Sequence, residues 1–404
     1  MKRQGHLIER VADMDNLMLA FWKAQRGKAA KMEVVRYQNH LTDNLLAMQE
    51  HLLTGQVDAG HYHSFTIYEP KERHIYASSF DERVLHHALM NVCHPYFDRH
   101  LIYDTYATRV GKGTYAALDR AHKMMPRYKY VAKLDVRKYF DSIDHAVLKR
   151  QLRSLFKDPL LLSAFDRIID TYCSSRPGLG VPIGNLTSQY FANHYLSCYD
   201  HYVKERLAVP AYIRYMDDML LFGNDKALLR KQVKQAEHYL SSNLLLTLKP
   251  PQIASIGQGV SFLGYHLREH QIALNSRSRN RFSRLLSSYT RLLQSGTWSQ
   301  EDYRSHLVPV LAFVRYAYTK KYRMQKIEKQ TAGLVSRESR WQLEQQRQEL
   351  PRVESQQQHS FEPQQQPRLS RGISSSAYVV QTDAVDINRS VSCFPMQGNK
   401  KNGF

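Results

Sequence analysis

Cysteine is scarce in this chain of 404 residues, and its four cysteines are scattered, at Cys93, Cys173, Cys198 and Cys393. Without a C-x-x-C spacing they predict neither a zinc site nor a disulfide framework. An H-E-x-x-H pattern is also absent, which excludes that type of zinc centre. No apolar run approaches the roughly 20 residues of a membrane span, and the N-terminal residues lack the apolar stretch of a secretory signal. We therefore expect a cytoplasmic protein without membrane contacts.

Acidic residues are few beside the basic ones. The chain has 57 Lys and Arg against 37 Asp and Glu, a formal net charge of +20 and a pI near 9.7. Such an excess predicts a polyanionic partner. The basic residues are spread along the chain among 26 tyrosines, as in a groove that follows phosphates and stacks bases. Charge alone does not separate a nucleic acid from an anionic membrane surface.

Two adjacent carboxylates, Asp217 and Asp218, stand between apolar stretches in the sequence A-Y-I-R-Y-M-D-D-M-L-L-F. The pattern predicts a β-hairpin with the acidic pair at its tight turn and both arms buried. An isolated Asp-Asp pair is more often a solvated turn. Neighbouring anions repel, however, and proteins usually place them together where a cation needs them.

A third carboxylate, Asp135, ends the apolar strand Y-V-A-K-L-D. Three carboxylates converging from two adjacent strands can hold two divalent ions about 4 Å apart, as transfer of a nucleotide to a 3′-hydroxyl requires. Magnesium prefers oxygen ligands and keeps water and phosphate in its shell, so this site needs neither His nor Cys.

The segments K-L-D-V-R-K-Y-F-D-S-I-D, G-V-P-I-G-N-L-T-S-Q-Y-F-A-N, Y-M-D-D, L-K-P and F-L-G-Y occur in the order of the reverse transcriptase motifs. The resemblance runs from about residue 6 to about residue 325. It is closest to the reverse transcriptases of diversity-generating retroelements. Group II intron, retron and retroviral enzymes usually have Gln where Ile183 stands and Pro where Gln189 stands.

The resemblance implies roles for individual residues. Asp135, Asp217 and Asp218 would be the catalytic, metal-binding triad for two Mg²⁺ ions, with the Val136 carbonyl as a further ligand. The other implied contacts fall into two groups: the incoming nucleotide at Lys71, Arg73, Phe140, Ile183, Gly184 and Lys249, and primer or template at Arg109, Ser188, Gln189, Tyr215, Met216, Gly264 and Tyr265.

Three of these assignments have open alternatives. Phe140 matches the steric gate that meets a ribonucleotide 2′-hydroxyl, but an aromatic after a strand is also an ordinary core residue. Glu72 stands where the family usually has Pro, so Lys71 and Arg73 are candidates only. Ile183 replaces a glutamine that touches the incoming nucleotide, which predicts reduced fidelity, directed in this family at template adenines. The alternative is that Ile183 packs behind the site.

The predicted fold is α+β, a right-hand polymerase whose palm combines an antiparallel sheet with helices. The expected parts are an N-terminal helical extension over 1–60, fingers over 61–130, a palm over 131–270 and a small helical thumb over 271–330. Within the palm we expect a helix near 145–175, a second over Ala227–Leu244 and a strand over Leu245–Leu248. Residues 335–404 are rich in Gln and Ser and predict a disordered tail.

The expected function is RNA-directed DNA synthesis from a template-repeat RNA, primer and dNTPs. The family works with a small, basic, oligomeric accessory variability protein, which the resemblance implies as a partner. Two alternatives stay open: a retron-type or phage-defence reverse transcriptase with the same chemistry, and a non-catalytic RNA-binding module. Three intact carboxylates argue against the module, because buried carboxylates without a metal are costly.

Overall fold

The computed structural model describes residues 3–68 and 72–331. These form two compact units, one ending at Asn275 and one beginning at Ser276. The fold is α+β, with small antiparallel sheets among many helices. Lys71 and the predicted disordered tail over 335–404 lie outside the described residues.

The described chain begins with helices, in the region of the N-terminal extension expected over 1–60: α1 Ile8–Val11, α2 Met14–Ala24, α3 Met32–Asn39 and α4 Leu41–Thr54. The Asp13 carboxylate caps α2 by accepting from the backbone N–H groups of Asp15 and Asn16, which have no partner inside the helix. The apolar face of α2 packs on the long helix α5, Phe80–His100. Phe21 and Phe80 meet edge to face with ring centroids 6.1 Å apart.

A two-stranded hairpin, β1 Tyr62–Ile67 and β2 Arg73–Ser78, lies between α4 and α5 in sequence. Its base is anchored at two points. The Tyr62 hydroxyl lies 2.6 Å from Thr171 Oγ1. The fully buried Glu82 carboxylate accepts from the N–H groups of Gly60 and His61 at 3.0 and 3.1 Å.

The central sheet consists of β3 Tyr130–Asp135, β4 Ala211–Tyr215, β5 Asp218–Gly223 and β6 Gln252–Ser255, all antiparallel in the order β4-β5-β3-β6. Its helices are α6 Thr114–Met124, α7 His145–Leu155, α8 Pro159–Asp170, α9 Leu186–Tyr195, α10 Ser197–His201 and α11 Lys226–Asn243. The side chains of Val131 and Leu221 are fully buried. The main hydrophobic core runs from this sheet through the helices to the N-terminal helices.

Two expectations are corrected. The helix predicted near 145–175 is two helices, because Asp158 caps α8 through the N–H of Leu161 and Pro159 opens the new helix. The strand predicted over Leu245–Leu248 is no strand. Leu245 has a φ of +54° and only Leu248 forms a bridge, to Val136. The helix predicted over Ala227–Leu244 is confirmed as α11.

A three-stranded antiparallel sheet completes the first unit: β7 Val260–Phe262, β8 Tyr265–Arg268 and β9 Gln271–Leu274. Leu263 and Gly264 form the two-residue turn between β7 and β8, with φ of +48° and +90°. A two-residue hairpin turn with both φ values positive is type I′, which favours glycine.

The second unit contains α12 Ser276–Gln294, α13 Gln300–Arg315 and α14 Lys320–Thr331. A capping box between Ser299 and Asp302 begins α13. Phe282 and Leu286 of α12 are buried. Across the described ranges, no helix is long and apolar enough to cross a membrane.

Candidate active site

The three predicted carboxylates meet at one end of the central sheet. Asp135 is the last residue of β3 and Asp218 is the first of β5, and the two are directly opposite in the antiparallel register. Tyr215 and Asp218 pair across the β4–β5 hairpin, which leaves Met216 and Asp217 as its two-residue turn. The structure thus confirms the predicted acidic hairpin and places the third carboxylate beside it.

Burial and mutual repulsion disfavour the charged forms of the two turn carboxylates. Burial raises the pKa of Asp218 to about 6; the nearby Lys133 ammonium lowers it, and the charge on Asp217 raises it further. Burial, followed by the Asp135 charge, also raises the pKa of Asp217, while Lys249 and Arg73 oppose the rise. The site is therefore short of positive charge.

Two lysines supply part of that charge. Lys249 Nζ lies 2.5 Å from Asp135 Oδ1, and Lys133 Nζ lies 3.3 Å from Asp218 Oδ1. Asp218 Oδ1 is nevertheless buried and accepts no hydrogen bond within the described part of the chain. An orphaned carboxylate oxygen beside further carboxylates fits a divalent cation that prefers oxygen ligands.

The backbone next to Asp135 adds an oxygen on the same side. Val136 and Leu248 form an isolated antiparallel bridge whose two hydrogen bonds, both 2.8 Å, belong to the flanking residues. In such a pair the C=O of the central residue points away from its partner strand. The Val136 carbonyl is thus turned to the side of β3 on which β5 and the acidic turn lie. Among the described residues, however, no three His, Cys, Asp or Glu side chains converge closely enough to form a metal site by themselves.

Three predicted nucleotide contacts lie on or against β2. Arg73 begins β2, and its charge acts on Asp217. The Ile183 carbonyl accepts from Tyr76 N–H at 2.9 Å, which ties its loop to β2. Gly184 has a φ of +127°, and a Cβ there would be crowded, because it would lie 3.0 Å from Ile75 Cγ2 and 3.1 Å from the Tyr76 carbonyl oxygen.

Phe140 stands near the same loop. It is half-buried in the 3₁₀ turn Tyr139–Ser142, and its carbonyl accepts from Val181 N–H at 2.9 Å. The segment around residues 181–184 is therefore hydrogen-bonded to the turn after β3 at one end and to β2 at the other.

Four of the predicted primer and template contacts lie at the turns of two β-hairpins. Tyr215 and Met216 belong to the acidic hairpin, and the Tyr215 hydroxyl accepts from Thr114 Oγ1 at 3.3 Å. Gly264 and Tyr265 lie at the β7–β8 turn, and Tyr265 is fully buried.

The remaining predicted primer and template contacts are Ser188, Gln189 and Arg109, and they differ in exposure to solvent. Ser188 is buried in α9 while Gln189 is exposed. Arg109 is turned inward: its guanidinium binds the Asp98 carboxylate at 2.6 Å and the Ile102 carbonyl at 2.7 Å. It therefore shapes its own loop rather than presenting a charge to solvent.

Residues 69–267 match the family described as reverse transcriptase (RNA-dependent DNA polymerase). The chain carries a reverse transcriptase domain. The matched segment begins just before β2, ends in β8 and contains Asp135, Asp217 and Asp218. The protein is therefore an RNA-directed DNA polymerase, as the motif order predicts. No curated protein matches the chain.

Sequence reasoning missed two cations of the reverse transcriptase domain. Lys133 precedes Asp135 by two positions on β3 and so shares its face of the sheet; its Nζ donates to the Ser261 carbonyl at 2.7 Å, linking β7 to Asp218. Arg214 lies fully buried in β4. Both were visible as charged residues inside otherwise apolar strands, which is the signal that could have marked them.

Proposed function

We propose that this polymerase copies a template-repeat RNA of a diversity-generating retroelement into cDNA that carries errors at template adenines. The observation that carries this proposal is Ile183, in the segment I-G-N-L-T-S-Q, whose backbone is hydrogen-bonded to β2, the strand that begins with Arg73. Asp135, Asp217 and Asp218 are the proposed catalytic residues, in a right-hand polymerase with the fingers, palm and thumb segments that the sequence predicts.

The proposed site would bind two Mg²⁺ ions through these carboxylates and the Val136 carbonyl. Mg²⁺ held there would supply activation of the primer 3′-hydroxyl and neutralisation of the triphosphate charge. Asp217 and Asp218 must be ionised to serve as ligands, although burial raises the pKa of both.

The chain's own cations support the same proposal. Lys249 and Arg73 both act on Asp217 from within the site, so they can stabilise the negative charge of an incoming triphosphate. Phe140 would exclude a 2′-hydroxyl and so select deoxynucleotides.

Reduced fidelity follows from the chemistry of Ile183. Its backbone is fixed by the hydrogen bond to Tyr76, and its aliphatic side chain is half-buried. Such a side chain offers a base pair no hydrogen bond, and a polar contact to a base contributes about 1–3 kcal/mol of discrimination. A mismatched base pair with imperfect geometry therefore loses less binding free energy beside Ile183 than it would beside glutamine.

A groove of about 770 Å³ beside the β1–β2 hairpin is the proposed path of the template strand. Lys31, His61, His63, Phe65 and Arg83 are among its lining residues. Cations beside aromatic rings suit phosphates and stacked bases of a single strand. An accessory variability protein remains a proposed partner on the strength of the family resemblance.

The decisive experiment is to sequence cDNA made from a primed RNA that contains all four bases, with Mg²⁺ and dNTPs. The wild type would be compared with Ile183→Gln and with Asp217→Asn/Asp218→Asn. We expect errors concentrated opposite adenine, fewer errors with Ile183→Gln and no product from the double variant.

Other outcomes would redirect the proposal. Accurate cDNA from the wild type would leave the polymerase but favour a retron or defence role. No cDNA, even with the cognate RNA and accessory protein, would favour the non-catalytic RNA-binding module. Equal error spectra from the wild type and Ile183→Gln would mean that Ile183 only packs behind the site.

A further inference from the structure

Arg214 uses its whole guanidinium in buried hydrogen bonds. It is fully buried on β4, one residue before Tyr215. Nε and one Nη2 N–H donate to the Asp200 carboxylate at 2.7 and 2.5 Å. The Asn193 side-chain and backbone oxygens accept at 2.9 and 3.0 Å. The fifth N–H donates to the Met216 carbonyl at 3.2 Å, so all five donors of the side chain are occupied.

The acceptors of Arg214 are themselves held in place. Asp200, on α10, also accepts from the Tyr212 hydroxyl at 2.8 Å. Asn193, on α9, donates from Nδ2 to the Ala107 carbonyl at 2.8 Å. The guanidinium thus joins two helices and, through Asn193, the loop before α6 to the back of the acidic hairpin.

The hydrogen bond from Arg214 to the Met216 carbonyl holds the peptide group that leads into the two turn carboxylates. This carbonyl belongs to the peptide group that joins Met216 to Asp217, the first of the two turn carboxylates. Met216 has a φ of +50°, a left-handed conformation that a non-glycine residue keeps only when its surroundings enforce it. Arg214 supplies such a constraint, from inside the fold and without touching the substrate side of the site.

We propose that Arg214 is a positioning residue, which fixes the Met216–Asp217 peptide and thereby holds Asp217 and Asp218 opposite Asp135. The proposal rests on the proposed catalytic role of these carboxylates. It states that their alignment depends on a guanidinium seated on Asp200 and Asn193, and that a positive charge alone does not suffice. Lysine, with three donors on one atom, cannot reach all five acceptor positions.

The test is single-turnover nucleotide addition to a primed RNA by Arg214→Lys and Asn193→Ala. Asn193→Ala leaves the Arg214–Asp200 ion pair in place and removes one acceptor, so it is the variant expected to fold even if Arg214→Lys does not. We expect the maximal rate to fall about 10- to 100-fold for Arg214→Lys, as for a small misplacement of reacting groups, and less for Asn193→Ala. The KM for dNTP and the affinity for primed RNA should stay within about threefold, because the affected bond lies behind the turn.

A readout independent of turnover is Mn²⁺ binding, followed by electron paramagnetic resonance without dNTP. Binding should weaken in both variants if the carboxylates lose their alignment. Tyr195→Phe is the matched control, since it also removes a buried hydrogen-bonding group. The Tyr195 hydroxyl donates to the Leu244 carbonyl at 2.7 Å and accepts from the Asp144 N–H at 3.3 Å, and neither partner belongs to the acidic hairpin. This variant should lower thermal stability and leave both the rate and Mn²⁺ binding unchanged.

The proposal is overturned if Arg214→Lys and Asn193→Ala keep the wild-type rate, or if rate, KM and Mn²⁺ binding change only in proportion to thermal stability, as in Tyr195→Phe. Failure of the underlying site assignment would look different: Asp217→Asn would then retain polymerase activity.

Discussion

The acidic turn is a place where function and stability oppose each other at the level of single side chains. Asp217 and Asp218 are held where burial and the neighbouring carboxylate charges favour their protonated forms. A carboxyl group whose pKa is raised on folding binds its proton more tightly in the native state. The native state therefore loses stability as the pH rises from the unfolded-state pKa to the folded-state pKa, because in this range the unfolded chain releases a proton that the native state still holds. Above the folded-state pKa the loss is complete.

We predict that the Asp217→Asn/Asp218→Asn variant is more stable than the wild type at neutral pH without metal. For Asp218 the pKa rises from its ordinary value near 3.8 to about 6. The difference in unfolding free energy should therefore be small near pH 4, grow as the pH rises towards 6 and level off above it. A shift of this size corresponds to roughly 1–3 kcal/mol. Urea unfolding in EDTA from pH 4 to pH 8 measures the difference.

Magnesium provides the control for this prediction. It should stabilise the wild type and not the double variant, since only the wild type offers the carboxylates. A difference between the two proteins that does not change with pH would show that the carboxylates are not the source of the effect.

At the scale of elements, the sequence predicts best where a local pattern decides the structure. Apart from Arg214, both arms of the β4–β5 hairpin are apolar, and its turn is two residues long, so its position follows from residues 211–222 alone. The break between α7 and α8 was readable in Asp158-Pro159, a capping residue followed by a proline. Alternation could not reveal that Leu245 adopts a positive φ, because Leu244 and Leu246 are core residues in either conformation.

The supports of the site are harder to predict than the site itself. Arg214 acquires its role from Asp200 and Asn193, and Lys133 from Ser261, which is 128 residues away. Periodicity and spacing carry no information on such partners, because they describe only neighbours along one element. The sequence therefore indicates the three carboxylates but not the residues that hold them in place.

The contact between the Ile183–Gly184 loop and β2 leads to a prediction for Gly184→Ala. A methyl group there would lie 3.0 Å from Ile75 Cγ2 and 3.1 Å from the Tyr76 carbonyl oxygen, on a backbone with φ of +127°. We expect a loss of about 1–3 kcal/mol of stability and a higher KM for dNTP, because β2 carries Arg73. Thermal unfolding and steady-state kinetics on primed RNA measure the two effects.

Gly257→Ala is the matched control, since its added methyl group would meet no atom within 4 Å and its φ lies outside the left-handed range. It should behave as the wild type in both assays. If Gly184→Ala changed stability alone and left the KM unaltered, the loop and β2 would not act together on the nucleotide.

At the scale of the whole molecule, the net charge and the reverse transcriptase match are both consistent with a nucleic-acid partner. A net charge of +20 requires an anion, and an anionic membrane surface satisfies that requirement as well as RNA does. The reverse transcriptase match favours nucleic acid. Binding by many dispersed cations is driven largely by release of counterions from the phosphates, which makes it steeply dependent on salt.

We predict that the affinity for primed RNA, measured by fluorescence anisotropy without dNTP, falls about 1,000-fold between 50 and 200 mM salt, as expected for some six phosphate contacts. The Asp217→Asn/Asp218→Asn variant should bind somewhat more tightly without metal. Its plot of log affinity against log salt concentration should have the same slope, because the contacts that set this slope lie along the template and primer backbones. Lys31→Ala in the proposed template groove should reduce the slope by about one contact. A slope near zero would contradict phosphate-driven binding. An unchanged slope for Lys31→Ala would place the template strand elsewhere on the enzyme.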